Sequence, residues 1–198
     1  GAVVLGTNVT VDTTDAAAGS DGSVSFTGTV NSDGTARSLT VNSGTAATTA
    51  SGVIGGTSQL SGLDIDGSVV DLDDIGDADT VGVSGVTTVD GTTRIDFNGT
   101  TYKTNQATYT APAGQNLVMA AGGLTTFTTN DDQLQFQTAT VLLNNGSNLQ
   151  GTTVGGAIIA QAGIRGTSDE TVNLNASGGT TNTIDVGAIG SGDEILSV

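Results

Sequence analysis

The chain has 198 residues, and its 20 acidic and 4 basic side chains give it a formal net charge of −16. So few cations cannot neutralise a row of phosphates, and we therefore expect it to bind neither nucleic acids nor anionic membranes. The sequence contains no His and no Cys, which excludes imidazole, thiolate and disulfide chemistry.

Short strands are predicted along the whole chain, because apolar residues recur in pairs two positions apart. Side chains at this spacing lie on the same face of a strand. Residues that favour turns separate the pairs, and the 31 Gly and 35 Thr also disfavour long helices. The sequence therefore predicts an all-β protein, and its apolar pairs in chain order include Val24/Phe26, Leu39/Val41, Leu63/Ile65, Val81/Val83, Ile95/Phe97, Leu117/Met119, Leu134/Phe136, Val172/Leu174 and Ile184/Val186.

The chain is predicted to form a single domain, 1–198, with the architecture of a β-solenoid. Its apolar clusters are small, numerous and evenly weighted, which is typical of coils that each contribute a few inward side chains. A coil of two or three short strands would take roughly 20 to 25 residues, which gives on the order of eight to ten coils. A β-sandwich is the alternative, although sandwiches of this size usually have longer strands and a larger aromatic core.

Weak internal similarity supports a repeating architecture. The segment around Phe26, GSVSFTGTV, resembles the segment around Phe97, TRIDFNGTT. The segment around Leu39, TARSLTVNSG, similarly resembles the segment around Leu174, ETVNLNASGG. We therefore expect the residues of each pair to occupy corresponding positions in different coils.

Several segments resemble the repeat units of very large bacterial surface proteins. These runs are GAVVLGTNVTV, GSVSFTGTV, RSLTVNSG, GVIGGTSQLSGLDIDG and TYKTNQATY, and the resemblance extends over about 1–160. The family is that of the filamentous-haemagglutinin-like adhesins and autotransporter passengers. The resemblance implies a right-handed parallel β-helix, secretion across an outer membrane, and a role in adhesion, aggregation or an extracellular layer. It includes no catalytic motif.

An Asp-rich stretch at 64–79 departs from the regular pattern, and a local insertion outside the solenoid is expected there as one alternative. Calcium prefers several oxygen ligands, and short Asp side chains in loops broken by Gly can converge on one ion. The spacing does not match an EF-hand, and a solvated acidic loop that adds solubility is the second interpretation. The candidate calcium ligands are Asp71, Asp73, Asp74, Asp77 and Asp79.

The sequence predicts no enzymatic activity. Glycoside hydrolysis needs two positioned carboxylates, which Asp73 and Asp74 could nominally supply. Tyr102 and Tyr109 flank Lys103, and we expect their rings to be exposed on a pair of strands. A glycan-acting β-helix enzyme would require an acidic groove with a basic residue inside it, but the basic residues are widely separated at Arg37, Arg94, Lys103 and Arg165.

We expect an extracellular bacterial protein, structural and adhesive in function, that self-associates through strand edges into filaments or a matrix layer. Strand-like segments at 3–11 and 195–198 would supply such edges, either in a whole subunit or in a segment of a longer repeat protein. The expected partners are identical copies, further repeats of the same chain, and a host or neighbouring-cell surface. The alternatives are a pilus- or sheath-like β-sandwich polymerised by strand exchange, and a glycan-acting β-helix enzyme. No apolar run reaches transmembrane length, so we expect no membrane insertion.

Overall fold

The computed structural model describes residues 1–16, 19–130, 132–179, 182–190 and 195–197, and within them every regular element is a β-strand. No helix in these residues is long and apolar enough to span a membrane. Most strands are short, whereas β7, β8 and β9 bend around a corner of the molecule. The strands are β1 Val3–Leu5, β2 Val9–Asp12, β3 Val24–Phe26, β4 Val30–Ser32, β5 Ser38–Asn42, β6 Thr48–Ala50, β7 Gly62–Leu72, β8 Val83–Phe97, β9 Thr101–Thr110, β10 Asn116–Met119, β11 Leu124–Thr129, β12 Leu134–Gln137, β13 Thr140–Leu143, β14 Asn148–Val154, β15 Ile158–Ala160, β16 Ile164–Arg165, β17 Glu170–Ser177, β18 Ile184–Val186 and β19 Ile195–Ser197.

Each coil contributes one segment to each of three parallel stacks, which we name faces A, B and C in chain order. Face A contains β1, β4, 101–104 of β9, β11, β14 and β17, and single bridges at Ile54 and Ile75 continue it through the third and fourth coils. Face B contains β2, β5, 62–67 of β7, 86–91 of β8, 106–110 of β9, β12, β15 and β18. Face C contains β3, β6, 69–72 of β7, 94–97 of β8, β10, β13 and β16.

Every strand pairing joins a segment to its equivalent in the next coil, and all of these pairings are parallel. Partners in successive coils are 21 to 27 residues apart on face A, whereas on face B the separation is 20 residues between Thr87 and Ala107 and 30 between Val9 and Leu39. The predicted parallel β-helix is therefore confirmed, and the β-sandwich alternative is wrong. The stack makes about seven turns rather than eight to ten, because its corners use more residues than the sequence pattern indicates.

Alternation along each strand builds the core, since every second side chain points inward and lies on the equivalent side chain of the next coil. On face B one column of equivalent positions passes through eight layers from Val9 to Ile184, and its side chains are buried from Leu39 to Ile158. These columns bury apolar surface continuously, which is the main stabilising term for a solenoid. The members of this column are Val9, Leu39, Leu63, Thr87, Ala107, Leu134, Ile158 and Ile184.

A cluster of aromatic rings fills the middle coils. The ring of Tyr102 stacks on that of Phe127, with centroids 4.6 Å apart, and Phe97 meets Tyr102 edge-on at 5.0 Å. Tyr109 and Phe136 complete the cluster, which holds five of the six aromatic residues of the chain. The predicted exposure of the Tyr102 and Tyr109 rings is wrong, because both residues occupy inward positions and are fully buried. The Tyr102 hydroxyl donates to the Leu72 carbonyl at 2.9 Å, which satisfies its polar end.

The Asp-rich stretch is part of the solenoid through β7 and the bridge at Ile75, whereas 77–81 form a loop between Gly76 and Gly82, so the expected insertion is limited to that loop. Asp64, Asp66 and Asp71 occupy outward positions, while their apolar neighbours point inward. The strand passes the corner between faces B and C at Gly67, where the register shifts. A Cβ atom at this position would lie 2.7 Å from the Ser43 hydroxyl oxygen, so the close approach requires glycine.

The expectation that similar segments occupy corresponding positions is correct for one pair of residues and wrong for the other. Phe26 and Phe97 occupy the same inward column of face C, through Ala50 and Leu72. Leu39 lies on face B, whereas Leu174 lies on face A, where it pairs with Gly151. Similar strand sequences recur on different faces because each face requires the same alternation of apolar and polar residues.

Polar side chains at the corners link successive coils. The Asn31 carboxamide oxygen accepts the backbone N–H of Thr57 at 2.9 Å, and that of Asn148 accepts the N–H of Thr171 at 2.7 Å. The Asp21 carboxylate binds the N–H and the hydroxyl of Thr45, each at 2.7 Å. These bonds satisfy N–H groups where the chain leaves the strand ladder, so they fix how one coil lies on the next.

Candidate functional site

The outward side of face C forms a groove that runs along the solenoid axis, and we call it the face C groove. Three adjoining depressions of about 140, 480 and 200 Å³ follow one another from β6 to β16. Parallel register places its lining residues in three columns, one per outward position of the strands. The columns contain Arg94, Asn116 and Thr140; Asp71, Asp96, Val118, Leu142 and Arg165; and Ser51, Asp73, Asn98, Ala120 and Asn144.

One end of the groove is acidic, and its side chains come from successive coils. Asp71 and Asp96 are direct partners on neighbouring strands, and Thr49 is the partner of Asp71 in the coil before. Arg94 donates from Nε to Asp96 at 2.8 Å, and its side chain remains 53% exposed while that of Asp96 is only 12% exposed. The Arg94 guanidinium offsets part of the negative charge at this end of the groove.

Burial is the first cause that raises the pKa of Asp71, followed by the neighbouring carboxyl group of Asp96. Arg94 opposes this change by favouring the charged carboxylate. Burial also raises the pKa of Asp73, with a further contribution from the charge of Asp74. The acidic end therefore holds protons more tightly than free Asp side chains would.

The middle of the groove combines an apolar floor with amide groups. Val118, Ala120 and Leu142 form the floor, and they are only partly covered by their neighbours. Asn98 and Asn144 project from the coils on either side of Ala120 and are exposed. Such a combination suits a ligand with both polar and apolar edges.

The other end of the groove is basic. The guanidinium of Arg165 donates from Nη2 to the Asn116 carboxamide oxygen at 3.1 Å, and so links strands two coils apart. The Arg165 Nε atom is buried and has no hydrogen-bond partner among the described residues. The groove therefore changes from acidic to basic along its length.

The predicted calcium ligands are distributed over three places. Asp71 and Asp73 line the groove, whereas the Asp74 carboxylate lies at the next corner and accepts the N–H groups of Thr100 and Thr101, each at 2.7 Å. Asp77 accepts two backbone N–H groups within its own loop, one of them from Asp79 at 2.9 Å. In the part of the chain that the structure describes, no three His, Cys, Asp or Glu side chains are grouped as metal ligands. Calcium binding stays a prediction.

The other residues considered for catalysis are likewise separated. Asp73 and Asp74 do not form a matched pair, because Asp74 is engaged with the backbone at the corner. Arg37 is paired with Asp33 at 3.2 Å, and Lys103 donates to the Ala78 carbonyl at 3.0 Å.

The structure instead brings Arg94 to the carboxyl pair of Asp71 and Asp96, which sequence reasoning did not connect.

The missed residues Asp96 and Asn98 carry one sequence signal. Both alternate with the buried residues Ile95 and Phe97, so their outward direction follows from parity. To predict that they lie near Asp71 and Asp73, the coil length is also needed, and this length varies from one coil to the next.

No protein-family model matches the chain, and comparisons with curated proteins and with solved structures find no significant match.

Proposed function

We propose that this chain is a structural and adhesive module of a bacterial extracellular surface, and that it self-associates along its strand edges into filaments or a matrix layer. The observation that carries this proposal is the unbroken parallel stacking of coils on three faces. About seven turns at a strand spacing of about 4.8 Å give a rod of about 34 Å. Such a rod presents outward side chains from one coil after another along its length and needs no catalytic centre to act as a scaffold.

Backbone chemistry supports association between copies. Within the solenoid each coil is bound to the next by parallel N–H···O=C bonds and by inward apolar columns. A coil from a second copy can make the same bonds to a free strand edge, because the ladder does not depend on which chain supplies it. The net charge of −16 opposes this approach, so association is expected to strengthen as salt screens the repulsion.

Electron microscopy of negatively stained protein tests this proposal. The purified chain is incubated at high concentration in low and in high salt, and regular fibres are expected, with more of them in high salt. Fibre diffraction should then give a reflection at about 4.8 Å along the fibre axis if the fibre continues the parallel ladder. Monodisperse particles under both conditions would overturn self-association.

A glycan-acting enzyme is the second candidate, and one observation favours it. The face C groove is acidic at Asp71 and Asp96 and contains Arg94 beside them, which is the combination that this function requires. Incubation with unbranched glycans should then release new reducing ends, and Asp96→Asn should abolish the release while Asp64→Asn on face B should not. Glycans recovered at unchanged length would exclude this candidate.

A further inference from the structure

The face C groove is long enough to hold an extended polymer. It spans six strands, β6, the end of β7, the end of β8, β10, β13 and β16, and therefore measures about 24 Å at a spacing of about 4.8 Å. Its three depressions are adjoining, since Asn98 lines two of them and Thr140 and Arg165 continue the columns into the third. A ligand that lies along the axis would contact one coil after another.

Only side chains are available to bind a ligand there. The central strand β10 is paired with β8 on one side and with β13 on the other, so its backbone groups are used within the solenoid. An extended peptide therefore cannot be added as a further strand of this face. The available groups are the amides of Asn98, Asn116 and Asn144, the acidic end and the Arg165 guanidinium.

The floor of the groove requires a ligand with apolar faces as well as hydroxyl groups. Val118 and Leu142 are direct partners on neighbouring strands and lie between the amide-bearing columns. Sugar rings offer C–H surfaces toward such a floor and hydroxyl groups toward amides and carboxylates. A pyranose ring with its glycosidic oxygen is also about as long as the spacing between strands.

Charge decides which glycans fit. Arg94 is already paired with Asp96, while Asp71 and Asp73 add negative charge at the same end of the groove. The whole chain carries −16, so a polymer with repeated acidic groups would be repelled. Neutral sugars and amino sugars avoid this repulsion.

We infer that the face C groove binds an unbranched glycan without acidic groups, which lies along the solenoid axis with its rings on Val118, Ala120 and Leu142. The amides of Asn98 and Asn144 hydrogen-bond its hydroxyl groups. This binding goes beyond self-association and does not depend on it. It also requires no cleavage of the glycan.

An array of immobilised unbranched oligosaccharides, with neutral, amino-sugar and uronic-acid members, tests the inference. We expect the labelled chain to bind neutral or amino-sugar members and not the uronic-acid members. No binding to any member, or strongest binding to the uronic acids, would overturn the inference. Fibre formation is measured separately, so a failure of glycan binding can be distinguished from a failure of self-association.

Matched variants locate the site. Ala120→Gln places a larger side chain on the floor of the groove, and Asn98→Ala with Asn144→Ala removes two amides. Each should weaken binding about tenfold. For Ala120→Gln the cause is lost space on the floor, and for the double Asn variant it is the loss of one or two hydrogen bonds. Thr108→Gln, at an outward position of face B in the same coil as β10, is the control and should bind like the original chain.

Circular dichroism first establishes that all variants melt within a few degrees of the original chain. Equal binding by the groove variants, or equal loss in the Thr108→Gln control, would place the glycan elsewhere and overturn the inference.

Discussion

Phe97 provides the sharpest test of how the middle of the solenoid is stabilised. Its ring is fully buried and meets Tyr102, Tyr109 and Phe127 edge-on, with centroids 5.0, 4.9 and 5.1 Å apart. Phe→Ala in a core usually costs 3 to 5 kcal/mol, and each aromatic pair contributes about 0.5 to 1.5 kcal/mol beyond area burial. We therefore expect Phe97→Ala to lower the free energy of unfolding by about 5 kcal/mol, at the top of that range.

Phe26 is the matched control because it lies in the same column of face C, but in the first coil of the stack. Its ring is only partly buried, and its partner in the next coil is the small side chain of Ala50. Phe26→Ala should therefore cost about 1 to 2 kcal/mol.

Urea unfolding followed by circular dichroism measures both free energies, and a separate early transition would reveal local loss of the end coils. Equal costs for the two variants would refute the reasoning that the aromatic cluster concentrates stability in the middle coils.

Three further predictions follow from individual side chains. Burial and Asp96 raise the pKa of Asp71 above its value in the unfolded chain, so the charged carboxylate destabilises the fold at neutral pH. This destabilisation fades as the pH falls through the raised pKa. Asp71→Asn should therefore raise the melting temperature at pH 7 and lose that gain in acid. Hydrogen bonds from Thr45 and Asp15 lower the pKa of Asp21, so Asp21→Asn should lower the melting temperature at pH 7, and the opposite sign for either variant would contradict the assignment. Asn148→Ala should cost about 1 kcal/mol in urea unfolding because Thr171 loses its acceptor, whereas Asn148→Asp, which keeps an acceptor oxygen, should cost less. If calcium binds the Asp-rich stretch, millimolar calcium should raise the melting temperature more than magnesium does, and an unchanged melting temperature would end that prediction.

The sequence predicts the class of fold better than it predicts the site. Alternation of apolar and polar residues directs Leu63 and Ile65 inward and Asp64 and Asp66 outward, and the structure has them so. Strict alternation would place Tyr102 and Tyr109 on opposite faces, because they are seven positions apart. Both are buried because β9 passes a corner with two successive outward residues, Asn105 and Gln106. The direction of a side chain follows from its immediate neighbours, so the sequence predicts it. The identity of its partner one coil away depends on the coil length, which varies between 20 and 30 residues.

Contacts between coils are the part that the sequence does not specify directly. Asp71 and Asp96 are 25 positions apart, and only the register of β7 with β8 makes them neighbours. The hydrogen bonds at the corners also join residues that are distant in sequence, since Asn148 accepts the N–H of Thr171 in the following coil. A single sequence without a strict repeat provides no measure of these distances, so the acidic end of the groove was visible only as a run of Asp.

The third and fourth coils carry like charges in contact, and this arrangement connects stability with function. Asp66 lies opposite Asp90 on face B, and Asp71 lies opposite Asp96 on face C. Like charges directly opposite each other on neighbouring strands destabilise a sheet by up to about 1 kcal/mol per pair, so the coil stack alone gives no reason for them. The fourth coil also supplies Phe97 to the aromatic cluster, whose burial offsets a cost of this size. The polar groups of a binding surface must keep their positions without a ligand. A destabilising carboxyl pair that is held beside the most strongly packed part of the core meets this requirement.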